Sequence, residues 1–165
     1  MPDVFLSIGS NIEREKHIPS ALRELEERVG SLTVSGVYES EAVGFKGARF
    51  YNLVAAFSTE LPVSETVKIL SEIENNHGRT RDCKKFSSRT LDIDLILYGD
   101  EVLQEGKLTL PREDITRYAF VLEPLAEIAP NRKHPVIGET YAELWAKFDK
   151  TSVNQWRVGS ASDIS

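Results

Sequence analysis

Apolar positions over the first hundred residues follow two rhythms. VFLSIG (4–9) reads as a strand ended by Gly9-Ser10-Asn11. Ile18, Leu22, Leu25 and Val29 then recur at three- and four-residue steps, one face of a helix, and Gly30 supplies its stop. LTVSGVYE (32–39) predicts a second strand weakened by Gly36, and YNLVAAFST (51–59) a third. Pro62 and Ser64 open a second helix through Val67, Leu70 and Ile73, which Gly78 can close. RTLDIDLILYGD (89–100) returns to a period of two, with Leu91, Ile93, Leu95 and Leu97 on one face.

The order is βαββαβ, the ferredoxin-like split unit of the α+β class. It predicts an antiparallel sheet with both helices on one face and the other face free for a site. Beyond Gly99 the pattern loosens into a C-terminal strand and helix extension. A short pair around EVL and KLTLP precedes the apolar segment YAFVLEPLAEIAP and a last helix, TYAELWAKF (140–148). One domain over residues 1–150 is expected, followed by a flexible tail, 151–165, rich in Ser and Thr.

Charge adds function classes to exclude. A net charge of −6 argues against a general nucleic-acid or anionic-membrane binder. The N-terminus shows no basic region followed by a long apolar stretch, and no run of about 18 apolar residues suggests a span. The single cysteine, Cys83, leaves no intrachain disulfide and reads as an incidental thiol. A monomeric, cytoplasmic protein is the expectation.

Two aspartates interrupt the fourth strand. Asp92 and Asp94 share the face opposite the leucines, with Cα atoms roughly 6–7 Å apart at about 3.3 Å of rise per residue. Such carboxylates repel each other unless a cation or water solvates them. A solvent-facing strand edge is the simple alternative. Immediately upstream, GRTRDCKKFSSR (78–89) carries Arg79, Arg81, Lys84, Lys85 and Arg89. Alone this is a solvated loop. Beside paired carboxylates it suits a metal–polyphosphate ligand, because Mg²⁺ takes few carboxylates and the substrate's phosphates, and guanidinium forks grip phosphate oxygens. No G-x-x-x-x-G-K-[ST] run and no protein-kinase motif occurs.

Phe50 and Asn52 share one face of the third strand by the period-two rule. An aromatic plane and an amide can stack on a flat heterocycle and read its edge; a core Phe beside a capping Asn is an equal reading. For Phe120 the core reading is favoured. His17, His77 and His134 are isolated, suiting surface or capping roles.

The chain resembles the 6-hydroxymethyl-7,8-dihydropterin pyrophosphokinase family over about residues 3–135. The resemblance is carried by SIGSNI, YNLVAAF, GRTR, SRTLDIDLILYG, LTLP and FVLEPLAEIAP. It implies transfer of a diphosphate from ATP to the hydroxymethyl group of a reduced pterin, releasing AMP. Asp92 and Asp94 then match ligands of two Mg²⁺ ions. Arg79 and Arg89 match phosphate-engaging arginines, with Arg81 a further candidate. Glu74, Lys107 and Thr109 fall on ATP contacts. Ser40, Val43, Phe50, Asn52 and Phe120 fall on the pterin pocket, the two phenylalanines as faces of a ring sandwich.

Four departures stand out. Ser40-Glu41-Ala42 replaces a frequent Thr-Pro-Pro, and Phe86 replaces a tryptophan as the cap on the pterin. On the ATP side, Pro111-Arg112 replaces a proline–histidine pair. Tyr118 replaces an arginine, with Arg117 adjacent. The last change leaves a pterin- or nucleotide-binding homologue with weak or altered kinase activity as the alternative. An RNA-binding sheet is a further rival, but the RNP1 aromatics are missing.

Overall fold

The computed structural model describes residues 1–41, 47–78 and 90–164. Along the chain run β1 (Asp3–Ser10), α1 (Arg14–Val29), β2 (Thr33–Val34), β3 (Val37–Ser40), β4 (Phe50–Ser58), α2 (Val63–Asn76) and β5 (Asp92–Tyr98). A hairpin follows, β6 (Leu103–Glu105) and β7 (Leu108–Leu110). Then come α3 (Asp114–Arg117), α4 (Ala119–Ile128), α5 (Tyr141–Lys147) and β8 (Gln155–Gly159). The main sheet has the order β5-β1-β4-β3-β8, with β2 also on β4, and its neighbours pair antiparallel.

The two helical stripes behave as their spacing demands. Ile18, Ala21 and Leu25 of α1 and Ile69, Leu70 and Ile73 of α2 are buried against Val4, Leu6, Ile8, Leu53, Ala55 and Phe57 of the sheet. Gly30, at φ 91°, ends α1 and returns its N–H to the Glu26 carbonyl, a stop that a residue with a Cβ would strain to make.

The opposite face is not left free. The apolar segment YAFVLEPLAEIAP contains α4, which packs Val121, Leu122 and Leu125 onto Phe5, Val54, Ile96 and Leu97, with Tyr141 of α5 completing a second core. The expectation of helices on one face is thus corrected. The apolar run that suggested no clear element is a helix because its buried positions lie three and four apart.

The predicted second strand is broken in two at Ser35-Gly36. Ser35 Oγ accepts the N–H of Val54, and the Gly36 N–H turns out to Glu127. A Cβ on Gly36 would lie 2.3 Å from Arg157 Nε, so a larger residue there would push that guanidinium away from Glu127. Residues 155–159, expected within a flexible tail, instead form β8 and pair with β3. The polar composition hid this strand, because it lies at the sheet edge with Trp156 and Arg157 exposed.

The ladder between β1 and β5 shifts register between Phe5 and Leu6. Leu95 stays in the first core while Leu97 turns into the second, so the four leucine-type positions do not share one face as the period-two reading had them. The irregularity is a bulge of the kind that re-aims side chains.

Candidate active site

Sheet register assembles the site. Asp92 of β5 stands opposite Gly9 of β1, and Gly9 opposite Asn52 of β4. Asn52 in turn stands opposite Tyr38 of β3. One step along, Asp94 pairs with Ser7 and Ser7 with Val54. Directly paired residues point to the same side of a sheet, so both carboxylates and the Asn52 amide lie on the α4 face. Strands about 4.8 Å apart put Asp92 and Asn52, two strands removed, about 10 Å from each other. Small Gly9 lies between them, and Ser7 lies between Asp94 and Val54. The row has an acidic end, a low floor and an amide.

The amide is held. Asn52 Nδ2 donates to Ser40 Oγ at 2.9 Å, with both residues buried, and Ser40 pairs across the strands with Phe50. The sequence-derived cluster of Ser40, Phe50 and Asn52 is therefore one spatial group. Phe120, in the first turn of α4, stacks on Tyr118 with ring centroids 5.1 Å apart and planes 19° from parallel. Both rings border a cavity of about 740 Å³ that also touches Ser40, Phe148 and Gln155. Gln155 of β8 bridges its walls by donating to the Ala119 carbonyl and Glu123.

At the acidic end Asp92 and Asp94 are both half-buried. The Arg112 guanidinium lies 3.8 Å from Asp94 and 3.3 Å from Asp114. Burial works against its charge, but Asp94, Asp114 and Asp92 outweigh that and hold it more firmly protonated than an ordinary arginine. Among the described residues no group of three or more His, Cys, Asp or Glu converges on a metal position. Two neighbouring carboxylates above a floor of Gly and Ser nevertheless fit a hard cation that draws its other ligands from water and phosphate.

The remaining positions are more scattered. Glu74 is buried on α2 and accepts the N–H of Ile93 at 2.8 Å, clasping that helix to β5. β5 is an edge strand, so this carboxylate also covers an amide that would otherwise lack a strand partner. Lys107 lies exposed in the β6–β7 turn and Thr109, half-buried, pairs with Gln104. Val43, Arg79, Arg81, Phe86 and Arg89 lie outside the described residues, as does Cys83.

The three histidines are buried rather than on the surface, and two of them cap. His77 ends α2 with Nδ1 2.8 Å from the Ile73 carbonyl, and His134 accepts the N–H groups of Val136 and Ile137. His17 packs edge-on against His77 at 5.5 Å, and burial followed by the neighbouring His77 lowers its pKa.

Sequence reasoning missed Gly9, Asp114 and Gln155. Gly9 was detectable: a glycine within an otherwise apolar strand signals close approach by another group. Asp114 and Gln155 gave no signal, since their roles depend on where distant elements dock.

A six-stranded antiparallel sheet is thus backed by helices on both faces, with paired carboxylates two strands away from an amide held beside an aromatic residue. Residues 5–130 match the family model of 7,8-dihydro-6-hydroxymethylpterin-pyrophosphokinase (HPPK). The 2-amino-4-hydroxy-6-hydroxymethyldihydropteridine pyrophosphokinase of Aquifex aeolicus is 36% identical over 146 residues, covering 87% of this chain and 91% of its own. The Bacillus subtilis enzyme of the same name is 32% identical over 164 residues, 96% and 93% of the respective chains. The crystal structure of an HPPK-DHPS in complex with substrates superposes with a TM-score of 0.73 at 13% identity, over 94% of this chain and 46% of that one. That likeness shows the fold, and the chain spans less than half the length of that protein. The chain belongs to the HPPK family, the pyrophosphokinases of folate biosynthesis.

Proposed function

We propose that this chain transfers the diphosphate of ATP to the hydroxymethyl group of 6-hydroxymethyl-7,8-dihydropterin and releases AMP. The observation that carries the reading is the row Asp92–Gly9–Asn52, which sets a carboxylate and the Asn52 amide on one sheet face. The pterin hydroxyl oxygen forms a bond to the β-phosphorus of ATP. The bond from that phosphorus to the oxygen bridging the α-phosphate breaks, AMP leaves with the electron pair, and the hydroxyl proton passes to solvent.

Asp92 and Asp94 are the residues that would hold Mg²⁺, two ions in this reading. When bound, Mg²⁺ supplies charge neutralisation and acidifies the attacking alcohol. The protein's own part is alignment. Asn52, steadied by Ser40, offers donors and an acceptor to the pterin edge. Phe50 and Phe120 take its two faces, and Val43 and Phe86 close the pocket. Glu74, Arg79, Arg81, Arg89, Lys107, Thr109, Arg112 and Tyr118 are assigned to ATP, with Arg79 and Arg89 at the transferring phosphates.

The reading includes a ferredoxin-like core, supported by the order β5-β1-β4-β3 with α1 and α2 as crossovers. It also includes a monomeric catalytic unit in the cytoplasm that binds neither nucleic acid nor membrane. No helix among the described residues is long and apolar enough to cross a membrane.

Incubation with ATP, Mg²⁺ and the reduced pterin, followed by nucleotide analysis, tests the reaction. AMP formed only when pterin is present is the expected result. ADP would identify a single-phosphate transfer and overturn the proposal. Pterin binding without turnover would favour the binding homologue that Tyr118 suggests.

A further inference from the structure

Arg112 occupies an unusual position for a residue assigned to a nucleotide. Its guanidinium lies between Asp94, at 3.8 Å, and Asp114, at 3.3 Å, on the acidic end of the site. All three side chains are largely withdrawn from water, with exposures of 28%, 29% and 15% for Arg112, Asp94 and Asp114. The backbone of Arg112 is fixed, because its N–H donates to the Ile96 carbonyl at 3.0 Å. Its head group is held less tightly. The distance to Asp94 is an ion pair outside hydrogen-bond range, and buried Nε has no well-directed hydrogen-bond partner among the described residues despite its nearness to Asp114. Charge retains this guanidinium where directional bonds do not.

We propose that Arg112 is a place-holding cation, which neutralises the carboxylates of the ligand-free site and changes partner to the phosphates when nucleotide and metal enter together. The inference rests on the reading of Asp92 and Asp94 as metal ligands. A guanidinium beside Asp94 repels a second cation and engages the oxygen it would use, so the protein without nucleotide binds divalent metal weakly. A triphosphate changes both conditions. It offers the planar guanidinium a bidentate partner in place of a 3.8 Å contact, and it brings negative charge to balance the metal. Arg112 thereby couples the two arrivals, which a neutral residue at this position cannot do. Its resulting role is that of a positioning residue for the order of binding, distinct from a mere anchor for the start of α3.

The test is Mn²⁺ binding to the whole protein, followed by electron paramagnetic resonance with and without a non-hydrolysable ATP analogue. Arg112→Gln is expected to bind Mn²⁺ about tenfold more tightly than wild type in the absence of nucleotide, equivalent to about 1.4 kcal/mol. The analogue should then enhance Mn²⁺ affinity less in this variant than in wild type, while Arg112→Lys retains most of the coupling. Asp114→Asn provides a second route if Arg112→Gln folds poorly. It frees the guanidinium to lean on Asp94, and nucleotide-free Mn²⁺ binding should weaken. Unchanged nucleotide-free affinity in Arg112→Gln, alongside weakened binding in Asp94→Asn, overturns the place-holder and leaves the metal ligands standing. Unchanged Mn²⁺ binding in both Asp92→Asn and Asp94→Asn, with the analogue present, overturns the metal reading and this inference with it.

Discussion

Asn52 lies over Gly9 so closely that a Cβ at position 9 would sit 2.8 Å from the amide oxygen. Real contacts of that kind do not persist, and Asn52 cannot swing away freely because its nitrogen is bonded to Ser40. The missing side chain at Gly9 is thus a requirement of the neighbouring strand's functional group.

Gly9→Ala should leave the fold intact, since strand backbone accepts alanine, but it should displace the Asn52 amide. Losing one well-placed hydrogen bond to the pterin costs about 1–1.5 kcal/mol, roughly tenfold in affinity. Titration calorimetry with the pterin checks this. Wild-type affinity in Gly9→Ala would mean that Asn52 does not read the pterin edge.

Glu127 joins three elements. It accepts from Tyr38 Oη at 2.6 Å, from the Gly36 N–H at 2.9 Å and from the Arg157 guanidinium at 3.2 Å. Burial alone would raise its pKa, but the bonds from Arg157, Tyr38 and Gly36 prevail and hold it below 4.5. A carboxylate depressed on folding stabilises fully above its unfolded pKa, near 4.5, and that contribution fades as pH falls through the folded value. Glu127→Ala leaves the Tyr38 hydroxyl and the Gly36 N–H without their acceptor and should cost about 2 kcal/mol at pH 7. Urea denaturation should show the gap between wild type and variant narrowing once the pH drops below 4.5. A gap independent of pH would show that the ionised form carries no special stability.

Ending the chain after Lys150 removes β8, bares the β3 edge and takes Gln155 from Ala119 and Glu123. A loss of about 3 kcal/mol corresponds to a fall of roughly 10 °C in melting temperature for a domain of this size. Calorimetric scans of the two forms provide the measurement. Coincident melting would return residues 151–165 to the frayed tail that their composition suggests.

How much of this could be read in advance depended on the range of the cause. The stripes of α1 and α2 were legible because each buries one face locally, and Phe50, Asn52, Asp92 and Asp94 because strand alternation fixes which neighbours share a side. Leu97 was misread because the bulge that turns it depends on the pairing with β1. The covered second face and β8 were missed for a related reason. α4 must dock on Phe5 and Val54, and β8 must find β3, before either segment shows its purpose. The ion pairs of Arg112 likewise arise where β5 meets the start of α3.

The pairing of β3 with β8 also bears on how the protein folds. Ser40 and Gln155 are partners more than a hundred residues apart, whereas the β6–β7 hairpin closes over a two-residue turn. Closing so long a loop costs chain entropy before any contact repays it, so this pairing belongs late in folding. The β1–β5 pairing that sets the carboxylates reaches almost as far, from Gly9 to Asp92, so both long closures follow the local hairpin. A refolding protein should form its β6–β7 hairpin first, and its acidic row and closed cavity wall only once the distant strands have met.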